Sequence, residues 1–90
     1  MAIEVSIPTI LRQYTDGAKA VDGSGSTLAE LFDDLEGRHP GMRERLVEGG
    51  SLRRFVNVYV NDEDVRFLGG LETPVSDGDN VTVLPAVAGG

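Results

Sequence analysis

The chain contains no cysteine, so disulfides, thiolate-bound zinc, plant-type iron–sulfur clusters and thiol nucleophiles are excluded together. It contains a single histidine, His39, set in the turn Arg38-His39-Pro40-Gly41. With no second histidine or cysteine to share a metal, it reads as an exposed turn residue. Long apolar runs are missing as well. Nothing approaches the roughly 20 residues that span a bilayer, and nothing near Met1 pairs a basic stretch with an apolar one. A cytoplasmic location and no membrane partner are the expectations. Basic residues are few, 8 against 15 acidic ones, for a formal charge of −7. Such a chain repels phosphate backbones and anionic membranes, which argues against nucleic acid, and a partner recruited through charge is expected to carry a basic patch.

What is present describes one small soluble domain. Ninety residues, 40% of them hydrophobic and 26% charged, suffice for a single core and argue against disorder. The 12 glycines therefore read as turn chemistry. Ile3, Val5 and Ile7 alternate with Glu4 and Ser6, the period of a strand buried on one face, and Pro8 ends it. After a loop through Thr15-Asp16-Gly17, Lys19-Ala20-Val21 can return beside it as a hairpin partner.

Thr27 and Glu30 form a T-x-x-E capping box, so a helix is expected from there. Leu28, Leu31, Phe32 and Leu35 make its apolar stripe, with Gly37 as its stop and Pro40 beyond it. Met42 to Val47 fits a short second helix, cut off by Gly49-Gly50. Phe55 to Val60 is the strongest strand signal, with Val56, Val58 and Val60 as its core side and Phe55, Asn57 and Tyr59 opposite. Asn61-Asp62-Glu63-Asp64 reads as a turn, Val65-Arg66-Phe67 as a short strand, and Ser76 to Asn80 as a turn before the strand Val81-Thr82-Val83-Leu84. The order β-β-α-β-β-β predicts an α+β sheet with the helix on one face.

The usual catalytic constellations fail. Asp77-Gly78-Asp79 lacks the remaining ligand spacing of a calcium loop. Asp62, Glu63 and Asp64 have no partner base and suit a polar turn. Gly23 and Gly25 lack the third glycine of a dinucleotide fingerprint, since Leu28 stands in its place, and no P-loop lysine follows. No triad can be assembled around one loop histidine.

The remaining unusual feature is the terminus, Ala86-Val87-Ala88-Gly89-Gly90. Without β-carbons, Gly89 and Gly90 can enter a slot too narrow for any side chain, reached by an arm of Val87 and Ala88. A carboxylate, here presented at the terminus, is also the kind of group that another enzyme could activate with ATP as an acyl-adenylate.

The stretches FVNVYVN, SDGDNV, VTVLP and AVAGG, in that order, resemble the ThiS/MoaD sulfur carriers, which have the ubiquitin-like β-grasp fold. IPTILR, RFVNVYVNDEDVRF and VLPAVAGG are most similar to the CysO-type branch, which serves cysteine biosynthesis. The resemblance spans essentially the whole chain. It implies a β-grasp domain over residues 1–85, a mixed sheet packed on one main helix, and a reactive tail over residues 86–90. It also implies a protein co-substrate and not an enzyme.

By that resemblance, a ubiquitin-activating-like adenylyltransferase and sulfurtransferase adenylates Gly90 and converts it to a thiocarboxylate. A pyridoxal-phosphate-dependent cysteine synthase then accepts the sulfur, and a metallopeptidase releases cysteine. ATP, pyridoxal phosphate and zinc would belong to those partners, with no cofactor on this chain. Because Gly90 is last as encoded, no proteolytic maturation is expected. Where many MoaD-like tails have two prolines, this chain has Pro85-Ala86, a less stiff arm. A molybdopterin-synthase small subunit and a ubiquitin-like modifier are the alternative readings.

Leu84 alternates away from Val81 and Val83, and Phe55 and Tyr59 lie opposite the valine face, so the three are candidates for an apolar docking patch. One alanine added after Gly90 should block sulfur transfer while leaving thermal unfolding unchanged. Transfer that survives the extension, measured by intact mass, counts against a tail read at its last residue.

Overall fold

The computed structural model describes residues 2–54 and 56–85. In chain order it has β1 (Ile3–Ser6), a 3-10 turn (Thr9–Tyr14), β2 (Ala20–Gly23), α1 (Leu28–Arg38), α2 (Met42–Leu46), β3 (Val47–Glu48) and β4 (Ser51–Leu52). Then come β5 (Val56–Val60), β6 (Glu63–Asp64), two further 3-10 turns (Val65–Phe67 and Gly70–Glu72) and β7 (Asn80–Pro85). Five strands form one mixed sheet in the order β2-β1-β7-β5-β6, while β3 and β4 make a separate small hairpin. The expected α+β architecture, one main helix on a mixed sheet, is what forms.

The alternating apolar residues set the sheet's inner face. β1 pairs antiparallel with β2, Val5 opposite Val21, and parallel with β7, Val5 opposite Val81. β5 runs antiparallel to β7, with Val58 opposite Val83 and Val60 opposite Val81. A row of valines therefore crosses neighbouring strands on one side, and Val56, Val58 and Val60 are all buried as the alternation predicts. Each fully buried apolar side chain contributes about 1.5–3 kcal/mol before entropy.

The stripe of α1 closes that face: Leu28, Leu31, Phe32 and Leu35 are fully buried in the same core. Thr27 caps the helix, its hydroxyl accepting from the Glu30 amide at 3.3 Å. The reciprocal arm of the box lands one residue early, because the Glu30 carboxylate accepts from the Ser26 amide at 2.9 Å and not from Thr27. The Gly-x-Gly before the helix has a packing role. A β-carbon on Gly25 would lie 2.6 Å from the Leu31 amide nitrogen, so the loop can pass the helix start only without one.

Three local expectations are corrected. Gly37 does not stop α1, which continues through Arg38 and is capped by His39. The stop is Pro40, which disfavours helical backbone at the residue before it. Val65-Arg66-Phe67 is a 3-10 turn and not a strand, because the Asp64 carboxylate accepts from the Arg66 amide at 2.9 Å and draws the backbone into a turn. Glu63 and Asp64, read as turn, instead form β6, while Asn61 and Asp62 alone make the reversal with φ of 50° and 71°. The 3-10 turn over Thr9–Tyr14 occupies what reads in sequence as plain loop.

The second helix forms over Met42–Leu46, and Val47 opens β3 instead of ending it. Its N-cap is Gly41, which has no side chain to offer and sits at φ 96°. Glu36 of α1 supplies the cap from outside: its carboxylate accepts from the Gly41 amide at 3.0 Å and the Arg43 amide at 2.9 Å. Those two backbone donors hold its pKa below the ordinary 4.5. A carboxyl lowered in the folded state adds stability above 4.5, and that contribution fades as pH falls through the lowered native value. The melting-temperature gap between the wild type and Glu36→Gln is therefore expected to be widest near neutrality and to close on acidification. A gap that does not vary with pH in thermal melts counts against the charged cap.

Candidate functional site

β7 leads directly toward the terminal glycines, and it lies between β1 and β5 with ladder hydrogen bonds on both sides. Alternation buries Val81 and Val83 beneath the sheet and leaves Leu84 outward, 45% exposed, opposite Asn57. Pro85 follows opposite Val56 as the last described residue of the strand. Phe55, Val87, Ala88, Gly89 and Gly90 lie outside the described residues.

Tyr59 sits opposite Thr82 on one side and Asp64 on the other. It is half-buried on the same outward face as Leu84, and the two line one shallow depression with Thr82 and Asp62. The structure therefore brings together two of the three proposed docking residues.

Sequence reasoning missed what faces Leu84 from the other side. The 3-10 turn carries Ile10, 63% exposed, to the end of β7, where Pro8, Ile10, Tyr14, Arg45, Leu84 and Pro85 surround a hollow. The only local signal for Ile10 is an apolar residue standing just after Pro8, in a stretch that reads as loop. Arg45 comes from α2, donating from Nε to the Tyr14 hydroxyl at 2.6 Å with its guanidinium carbon 5.6 Å from the ring centre. The ring in turn rests on Gly41, where a β-carbon would come within 2.9 Å of it.

Arg66 braces the strand next to the exit. Its Nη1 donates to Asn57 Oδ1 at 2.6 Å, and its Nη2 donates to the carbonyls of Val56 and Arg53. Since Val56 faces Pro85, this planar fork steadies the backbone beside the last described residue of β7.

The acidic motifs have structural work. Asp79 accepts from the Ser76 amide at 2.9 Å and from Asn61 Nδ2 at 3.1 Å, tying two turns together at the start of β7. His39 caps α1 through its backbone, its amide donating to the Leu35 carbonyl at 2.6 Å. Among the described residues, no group of three or more His, Cys, Asp or Glu is placed to hold a metal ion, and no helix is long and apolar enough to cross a membrane. Chemically, the described surface offers apolar contact and charge around a strand end, a place to be held by a partner.

The chain is similar over its length to known proteins. The ThiS family model matches residues 5–90. The sulfur carrier protein CysO of Mycobacterium tuberculosis is 59% identical over the full length of both chains. The CysO-bearing crystal structure of the Amycolatopsis orientalis BexX/CysO complex superposes with a TM-score of 0.94 and 62% identity, covering 99% of this chain and 100% of that one. Small archaeal modifier protein 3 of Haloferax volcanii is 40% identical over 72% of this chain and 71% of its own. The fold is thus the ubiquitin-like β-grasp.

Leu84→Ser should change stability by no more than about 0.5 kcal/mol, as an exposed position. Arg66→Ala should cost about 1 kcal/mol by leaving strand-end acceptors unmet. Urea unfolding of both variants checks the contrast, and equal losses would contradict the division between surface and brace.

Proposed function

The chain belongs to the ThiS family and is a sulfur carrier, a protein co-substrate and not an enzyme, and we propose that the sulfur rides on Gly90 as a thiocarboxylate. The observation that carries this reading is the placement of β7. A strand paired on both sides ends at Pro85 on an exposed face, five residues short of Gly90. Five residues reach at most about 17 Å when extended. The domain can therefore stay outside a partner's active site while its terminus enters.

The chemistry follows from what a carboxylate lacks. It is a poor electrophile, so its oxygen first attacks the α-phosphate of ATP on an activating enzyme, releasing pyrophosphate and giving the acyl-adenylate. A sulfur nucleophile then adds to the carbonyl carbon and expels AMP, leaving the thiocarboxylate. Having no β-carbons, Gly89 and Gly90 would let that carbonyl enter a narrow active-site slot, and Val87 and Ala88 precede them in sequence. Leu84 and Tyr59, with Phe55, the residue that precedes β5 in sequence, contribute to docking.

The acceptor we favour is a pyridoxal-phosphate-dependent cysteine synthase, which leaves cysteine attached through Gly90 for a metallopeptidase to release. The full-length identity to carriers named CysO supports this over a molybdopterin-synthase subunit. ATP, pyridoxal phosphate and zinc are then the partners' groups.

Incubation with the activating enzyme, ATP and sulfide should replace one terminal oxygen by sulfur, visible in the intact mass. An unchanged mass with an enzyme competent on another carrier would sink the proposal. The likeness to an archaeal modifier gives a second outcome to look for, isopeptide adducts on lysines of other proteins.

A further inference from the structure

The chain's net charge is −7, yet its cations are not evenly placed. Arg38 and Arg43 bridge to Asp34 and Asp33 on α1 at 2.9 and 2.7 Å, and Arg53 approaches Glu48 at 3.6 Å. Arg66 is turned onto the backbone of β5. Arg12, Lys19 and Arg45 differ from these, since among the described residues no carboxylate lies within ion-pair distance of any of them.

All three gather where β7 ends. Arg45 lines the hollow beside Ile10, Tyr14 and Pro85, while Arg12 and Lys19 line the adjoining one beside Thr82 and Leu84. No Asp or Glu lines either hollow. Four carboxylates stand at the other end of the same strand, while Asp16, in the loop bonded to the Arg12 carbonyl, and Asp62, beside Tyr59 and Leu84, lie outside the two hollows. Glu4 lies opposite Asp22 and Asn80 there, and Asp77 and Asp79 belong to the turn that leads into β7.

β7 has six residues, so its ends are about 17 Å apart at roughly 3.4 Å per residue. That distance is about twice the ~8 Å Debye length of physiological salt. A partner touching the exit end therefore feels the three near cations, while the acidic end is largely screened. Between those cations Ile10 and Leu84 stand 63% and 45% exposed. An apolar centre with a charged rim is the anatomy of a protein interface. A small anion would need donors converging on one point, whereas these cations are spread around a ridge.

Resting on the assignment of Gly90 as the site of activation, we propose that the end of the molecule around Ile10, Leu84, Arg12, Lys19 and Arg45 docks on an apolar surface rimmed by acidic side chains on the activating enzyme. The local charge, opposite in sign to the net charge, orients the carrier tail-first. The basic partner surface expected from composition is replaced by an acidic one.

The test measures KM and kcat of ATP-dependent sulfur loading by the activating enzyme, read by intact mass, for the wild type, Lys19→Glu, Arg45→Glu and the double variant. Asp77→Lys, at the acidic end, is the control. The double reversal should raise KM about tenfold at low ionic strength, leave kcat at saturation unchanged, and lose most of its effect in high salt. Lys19→Gln, which removes charge without reversing it, should fall between. Melting curves identify any variant whose KM changes through unfolding, and Lys19 alone then decides, since its side chain is exposed and makes no described bond.

An unchanged or lowered KM for Lys19→Glu overturns the acidic docking surface while leaving the loading chemistry intact. The same holds if Asp77→Lys raises KM as much. A wild-type chain that is never loaded overturns the Gly90 assignment and the surface with it.

Discussion

The structure depends on the parallel pairing of β1 with β7. These strands come from opposite ends of the described chain, and Val5 facing Val81 at their centre joins the first strand to the last. β2, β5 and β6 join the same sheet, and α1, which lies between β2 and β5 in the chain, covers one face of it and fills the core. The same pairing puts β7 in the interior of the sheet, with β5 on its far side. The last described strand is thus held by ladders on both of its sides.

Much of this was legible wherever one periodicity dominated. The valine alternation in β5, the four-residue stripe of α1 and its Thr27 cap were read correctly because burial and local chemistry agree there. Reading failed where a side chain competes for the backbone. Asp64 captures the Arg66 amide and bends an apolar, strand-like segment into a 3-10 turn. Gly37 misled because glycine usually marks a helix end, whereas Pro40 had the stronger steric effect. Glu36 capping a second helix could not be read from its own neighbours, since Gly41 offers no cap and the donor set closes only in three dimensions.

The candidate site divides the same way. Leu84 and Tyr59 follow from alternation along single strands. Ile10 and the cations around it do not, because each lies on a different element and they meet only through folding. Tyr14 and Arg45 are 31 residues apart, yet they touch at the rim of one hollow. Net charge summed over the composition hid this, since a sum carries no position. Arg12, Lys19 and Arg45 lie toward one end of β7, and Glu4, Asp22, Asp77 and Asp79 toward the other.

The geometry of β1 and β7 has a mechanical consequence as well. Because the two strands are parallel neighbours, a pull along β7 against an anchored β1 slides them lengthwise past each other. The ladder bonds are then loaded in shear, all together, and must fail as a set. An antiparallel hairpin peeled from its open end would instead yield one bond at a time. A load applied at the end of β7 is thus met by the β1–β7 ladder as a whole.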